Sequence, residues 1–161
     1  MPYLPNELWL EILPYCQKED SWNSLRSVNQ QLRDCVEQYF IVEILPQIII
    51  SLPIILPTYD IRQPMRGHAQ LHYYEGNSVD GRAIYAFAEA VPAYYDVHFL
   101  ARWKRAHSAG GCLPESQRWE VQLDSLETSA RLRDARVEGE PAACQLSFDW
   151  KSTMTALLPR R

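Results

Sequence analysis

The apolar pattern of this 161-residue chain changes period once, and that change constrains the fold more than any other feature. Over the first forty residues apolar side chains recur at helical spacing, whereas beyond residue 65 they alternate with polar ones. Helices first and strands afterwards predict an α+β protein, in which an N-terminal three-helix module precedes an antiparallel β-rich domain, either a sheet or a sandwich. The expected division is a helical module over 1–40, an apolar, proline-interrupted linker or first strand over 41–64, and a β-rich domain over 65–161.

The helical part has a definite punctuation. Pro5 suits a first helical turn, where its missing N–H costs nothing, and Glu7 there complements the positive end of the helix dipole. Leu4, Leu8 and Ile12 form one stripe, widened by Trp9 and Leu13, and Pro14 ends the helix near Leu13. Asp20 or Ser21 can cap a second short helix carrying Trp22, Leu25 and Val28. A third helix is predicted from about Asn29 to Phe40, with Leu32, Val36 and Tyr39 or Phe40 inward and Arg33, Asp34 and Glu37 outward. Three helices this short bury too little to stand alone, so some of their apolar residues should meet the rest of the chain or a partner.

The order and spacing of Leu4-Pro5-Asn6-Glu7-Leu8, Ile12-Leu13, Leu25-Arg26-Ser27-Val28-Asn29 and Leu32-Arg33 resemble the F-box, the three-helix module that docks onto the Skp-type adaptor of cullin ubiquitin ligases. The sequence departs from the family pattern at Cys16 and Trp22, which stand where leucines are usual, and at Pro14. The overall flavour is similar to fungal F-box proteins of unknown substrate. The resemblance implies that Leu4, Pro5, Leu8, Ile12, Leu13, Trp22, Leu25, Val28 and Leu32 divide between the module's own core and the adaptor-binding surface.

Past the linker, His68–Tyr74, Arg82–Val91, Asp96–Lys104, Trp119–Asp124 and Cys144–Lys151 read as strands. The last has the cleanest alternation, with Cys144, Leu146, Phe148 and Trp150 on one face. Residues 125–137 fit a helix or a strand, and strand neighbours favour strand. Gly76-Asn77, Asp80-Gly81, Gly110-Gly111 and Glu138-Gly139-Glu140-Pro141 supply turn chemistry. The adjacent pairs Tyr73-Tyr74 and Tyr94-Tyr95 must each turn one ring away from the core, as binding surfaces do.

Several function classes find no support. The net charge of −4 and the lack of a basic stripe argue against nucleic acid, and over residues 1–40 three cations face six carboxylates. Cys16, Cys35, Cys112 and Cys144 are widely spaced without a CxxC pair, which suits a reducing cytoplasmic or nuclear compartment. Residues 41–57 are strongly apolar, but Glu43, Pro46, Pro53 and Pro57 interrupt them, so buried strands are expected there and not a membrane helix. His68 and His72 sit two pleats apart on a strand with no further ligand at metal spacing, and no phosphate loop or nucleophile motif occurs. No enzyme, metal or cofactor is predicted.

The expectation is therefore a substrate-recognition adaptor. Its first forty residues would bind the Skp-type adaptor and through it a cullin, while the β-rich part would hold a protein substrate at residues the sequence does not mark. The competing reading is a stand-alone β-sandwich module, lectin-like or protein-binding, whose helices cap one end. A third keeps the adaptor but works outside ubiquitin transfer.

Overall fold

The computed structural model describes residues 4–56, 65–74, 81–113, 117–124, 126–138 and 143–158. The turn residues Gly76, Asn77 and Asp80, the stretch Gly139–Pro141 and the linker segment 57–64 lie outside them. Among the described residues the chain is α+β, with five α-helices and one seven-stranded antiparallel sheet. None of these helices is long and apolar enough to cross a membrane.

Helix α1 spans Asn6–Ile12 and begins at Pro5, with Glu7 in its first turn. It passes at Leu13 into a 3-10 turn containing Pro14, the stop that a proline imposes. Helix α2 spans Lys18–Asn23 and starts earlier than expected: Gln17, not Asp20 or Ser21, holds the N-cap position, and Ser21 is buried. A 3-10 turn over Leu25–Ser27 leads to α3, Gln30–Tyr39. Asn29 caps α3, its side-chain oxygen accepting from the Leu32 N–H at 2.8 Å. Leu32, Cys35, Val36 and Tyr39 face inward, as their spacing predicts.

The apolar stretch after α3 is core structure. Phe40–Ile44 is a wide π turn and Leu45–Gln47 a 3-10 turn around Pro46, and strand β1 follows at Ile49–Leu56. The remaining elements are β2 (Met65–Tyr73), β3 (Arg82–Val91), α4 (Asp96–Ser108), β4 (Trp119–Leu123), β5 (Leu126–Ala130), β6 (Arg133–Glu138), β7 (Gln145–Asp149) and α5 (Trp150–Leu157). The strand order is β5-β4-β1-β2-β3-β7-β6. Residues 126–138 thus hold two strands, in agreement with the strand reading of that segment.

Register explains why one sheet face is core. Ile50 lies opposite Leu71 and Val121, Leu52 opposite Ala69, Tyr85 opposite Tyr73 and Leu146, and Ala83 opposite Phe148. All but the half-buried Tyr73 are buried, so the period-two residues line one continuous apolar face that the helices cover. The buried Tyr85 hydroxyl donates to the Leu45 carbonyl at 2.8 Å, fastening the sheet to the turn after α3. On the opposite face Arg82 donates to Ser147 Oγ at 2.9 Å and pairs with Asp134, joining β3, β7 and β6.

Two expected strands are corrected. Asp96–Lys104 is the first part of helix α4. Phe99 and Trp103 satisfy both periods, but Tyr95, Phe99 and Trp103 at four-residue spacing are the buried set. Val97, which the alternation placed inside, is 71% exposed, and Ala101 is exposed too. The Asp96 carboxylate accepts from the Ala90 N–H at 3.0 Å and so sets the start of α4 against the end of β3. The second correction concerns Trp150 and Lys151, which leave the strand. Asp149 caps α5 by accepting from the Ser152 N–H at 3.0 Å, which turns the chain from β7 into helix one residue before Trp150.

The N-terminal helices and the sheet share one apolar core running from Leu13 to Leu158. Trp22 of α2 is its joint. Its ring lies 4.7 Å from Phe40 and 5.5 Å from Trp150, and its Nε1–H donates to Thr155 Oγ1 at 3.2 Å. Beside it, Asn23 Nδ2 donates to the Leu158 carbonyl at 2.8 Å. Arg26 stacks over the Trp22 ring at 4.3 Å and pairs with Glu37 at 2.7 Å, and the other Glu37 oxygen meets Lys151 Nζ at 2.5 Å.

Glu37 thus bridges α3 to α5 with both carboxylate oxygens used. Burial pushes its carboxyl up, but hydrogen bonds and charges from Lys151 and Arg26 outweigh burial and hold it below the usual carboxylate range. Glu37→Gln should lower the unfolding free energy by about 2 kcal/mol near neutral pH, read by urea denaturation. A carboxylate with a lowered folded pKa contributes fully above its unfolded value of about 4.3 and loses that contribution as pH falls through the folded one. Wild type and Glu37→Gln should therefore converge in stability on acidification below about pH 4.

Candidate functional site

The residues expected to bind an adaptor separate into two groups. Leu13, Trp22 and Leu32 are buried in the chain's own core. Leu25 packs half-buried against that core, and Leu4 is half-buried as well. Pro5, Leu8, Ile12 and Val28 are exposed. The helix therefore sits rotated relative to the expected stripe: Trp9, Leu10 and Leu13 face the core, while Leu8 and Ile12 face solvent at 42% and 43% exposure. Val28, expected inward on the second helix, lies past the Leu25–Ser27 turn and is 64% exposed.

The outward face continues beyond the residues that sequence spacing marked. Tyr15, in the turn after α1, is 92% exposed and stands at i+7 from Leu8 and i+3 from Ile12. The signal for it was present as the third member of the i, i+4, i+7 series, but Pro14 reads as the end of the periodic run. Nearby, Leu10, Pro14, Tyr39 and Val42 line a mostly apolar cleft of about 180 Å³ between the end of α1 and the end of α3. Val42 is itself exposed, and no sequence pattern singled it out.

The start of α1 is held by α3. Gln31 Nε2 donates to the Leu4 carbonyl and to Asn6 Oδ1, each at 2.7 Å, so the Leu4-Pro5 entry is seated on the third helix. Lys18 pairs with Asp124 in the turn after β4, tying the start of α2 to the sheet. The outward apolar side chains of α1 thus project from a helix whose backbone is fixed at its start, which leaves little backbone freedom to lose on contact with a partner.

The arrangement offers contact surface and no reactive constellation. Among the described residues no group of three or more His, Cys, Asp or Glu side chains is placed to hold a metal ion. His68 and His72 share the outer face of β2 with Gln70 between them, and Gln70 Nε2 lies 3.3 Å from His68 Nε2. Cys35 and Cys144 are buried thiols, each pushed up by burial, while Cys16 is half-buried and Cys112 exposed. In the tyrosine pairs one ring of each turns outward: Tyr74 and Tyr94 are exposed, whereas Tyr95 is buried and Tyr73 half-buried. Compared with protein-family models, curated proteins and solved structures, the chain matches none.

The division between exposed and buried members is measurable on the isolated protein. Leu8→Asp with Ile12→Asp should cost less than about 1.5 kcal/mol, since neither side chain fills the core. Leu13→Ala should cost about 3 kcal/mol through the cavity it leaves. Urea denaturation of the two variants gives the comparison.

Proposed function

We propose that this chain is a substrate-recognition adaptor of a Skp–cullin–F-box ubiquitin ligase. One observation carries the reading. The helix that opens on Leu4-Pro5-Asn6-Glu7-Leu8 keeps Leu8 and Ile12 in solvent, with Tyr15 beyond them, while Trp9 and Leu10 on its other face pack half-buried against the core. Apolar side chains aligned on a fixed helix are what a helix-docking partner needs, and a few such anchors supply most of an interface's energy. In this reading Pro5, Leu8, Ile12 and Val28, with the edges of Leu4 and Leu25, contact the Skp-type adaptor. Leu13, Trp22 and Leu32 support that surface from beneath.

The mechanism is proximity. The chain would hold a protein substrate through its sheet-bearing part while its helices join the adaptor and cullin, which raises the local concentration of substrate lysines near a separate conjugating enzyme. No bond is made or broken on this chain. The shared core serves that purpose, because a substrate held at the sheet keeps a fixed distance and angle to the adaptor face.

The same shared core also favours a second reading, in which the helices are a structural cap on a ligand-binding sheet. The two readings part at the adaptor. The full chain co-expressed with a Skp-type adaptor should co-purify as a stoichiometric complex, and Leu8→Asp with Ile12→Asp should weaken that complex at least about tenfold. Failure to form the complex, or a complex indifferent to those substitutions, overturns the adaptor reading in favour of the cap.

A further inference from the structure

Helix α4 and strands β1 and β4 enclose a groove of about 340 Å³ far along the chain from the Leu8–Ile12 surface. Its floor is apolar and buried, made by Leu52 of β1, Trp119 of β4 and Trp103 of α4, and the half-buried Ala106 and Leu113 also line it. Arg102 and Arg105 of α4 stand at its rim. The Arg102 guanidinium donates to Gln117 Oε1 at 2.7 Å on the opposite lip, so its charge is held across the opening. The loop that carries Leu113 is pinned to β6: Val137 N–H donates to the Gly111 carbonyl at 2.7 Å, and Leu113 N–H to the Ala135 carbonyl at 3.2 Å. Gly111 has φ +75, and a Cβ there would come within 2.8 Å of the Val137 carbonyl oxygen, so glycine is required for this close approach.

The charge at this groove runs against that of the whole molecule. The chain carries a net −4, yet helix α4, Asp96–Ser108, sets Arg102, Lys104 and Arg105 against Asp96 alone. Arg105 near the end of α4 complements the helix dipole, which accounts for one cation. Arg102 lies in mid-helix, and among the described residues neither it nor Arg105 makes a carboxylate ion pair, unlike Arg26, Arg82 and Arg136. Two guanidiniums that pair with no carboxylate among the described residues, beside an apolar slot, suit an occupant that carries carboxylates next to a large apolar side chain. The volume has room for a whole aromatic or branched side chain with space beside it, which suits a peptide anchor.

We propose that this groove binds an acidic peptide segment, seating one aromatic or aliphatic side chain against Ala106 and Leu113, over the buried Trp103 and Trp119, while adjacent carboxylates engage Arg102 and Arg105. This names the substrate class for the adaptor reading, and its role in substrate capture rests on that reading. Peptide binding itself does not require the adaptor, so the test uses the full chain alone and separates the two. Three fluorescein-labelled peptides are titrated by anisotropy: one with a Trp flanked by Asp and Glu, one with Lys replacing each acid, and one with Ser replacing the Trp. The acidic Trp peptide should bind at least about tenfold tighter than either counterpart, and raised salt should weaken it. Arg102→Glu with Arg105→Glu should remove that preference, while the equal charge change Arg33→Glu with Arg131→Glu leaves it intact. Unaltered circular dichroism of both variants secures the comparison. No binding of the acidic peptide, equal binding of the lysine peptide, or indifference to Arg102→Glu with Arg105→Glu overturns the proposal. So does saturable binding of dodecanoate in the absence of peptide binding.

Discussion

The burial of Trp22 between Phe40 and Trp150 is the contact on which the rest of the structure depends. It brings a helix from the first quarter of the chain against the last one, and the ion pairs of Glu37 with Arg26 and Lys151 close over its edge. Short helices lack the area to fold alone, and a sheet with one apolar face must be covered by something. Each part supplies what the other lacks. The hydrogen bonds from Trp22 to Thr155 and from Asn23 to the Leu158 carbonyl then fix register where apolar packing alone would let the helices slide.

This joint decides which side chains remain for partners. Because Trp9, Leu10 and Leu13 are spent on the core, α1 can only turn Leu8 and Ile12 outward, and the chain then places Tyr15 beyond them. Beside α4, the glycine-dependent approach of the 111–113 loop to β6 shapes a groove whose rim is basic on a chain that is acidic overall. The two surfaces thus rest on one shared core.

Much of the fold was legible because local chemistry and tertiary packing agree. Asn29 caps the third helix where a helix-starting residue is expected, and Arg82–Val91 forms the strand that its alternation describes. The sequence misleads where one pattern fits two periods. Phe99 and Trp103 lie on one face of a strand and on one face of a helix, and the deciding residue, Tyr95, belonged to the preceding turn. Trp150 continued an alternating run by chance, and only the capping bond of Asp149 shows that helix begins there. The candidate site was legible in composition but not in orientation. Spacing alone puts Leu4, Leu8 and Ile12 on one stripe, but which side of α1 faces inward depends on the sheet and on α3. The pairing of Glu37 with Lys151, 114 residues away, leaves no trace in local sequence.

Native-state hydrogen exchange of the full chain across a urea series tests most directly whether helices and sheet are one unit built on Trp22. With one core joined at Trp22, amides of α3, β3 and β7 should exchange through a single global opening, with a common free energy and a common urea dependence. If the α3 amides instead opened locally, at a free energy well below that of β3 and β7 and with little urea dependence, the N-terminal helices would be a separate module and the account would be contradicted.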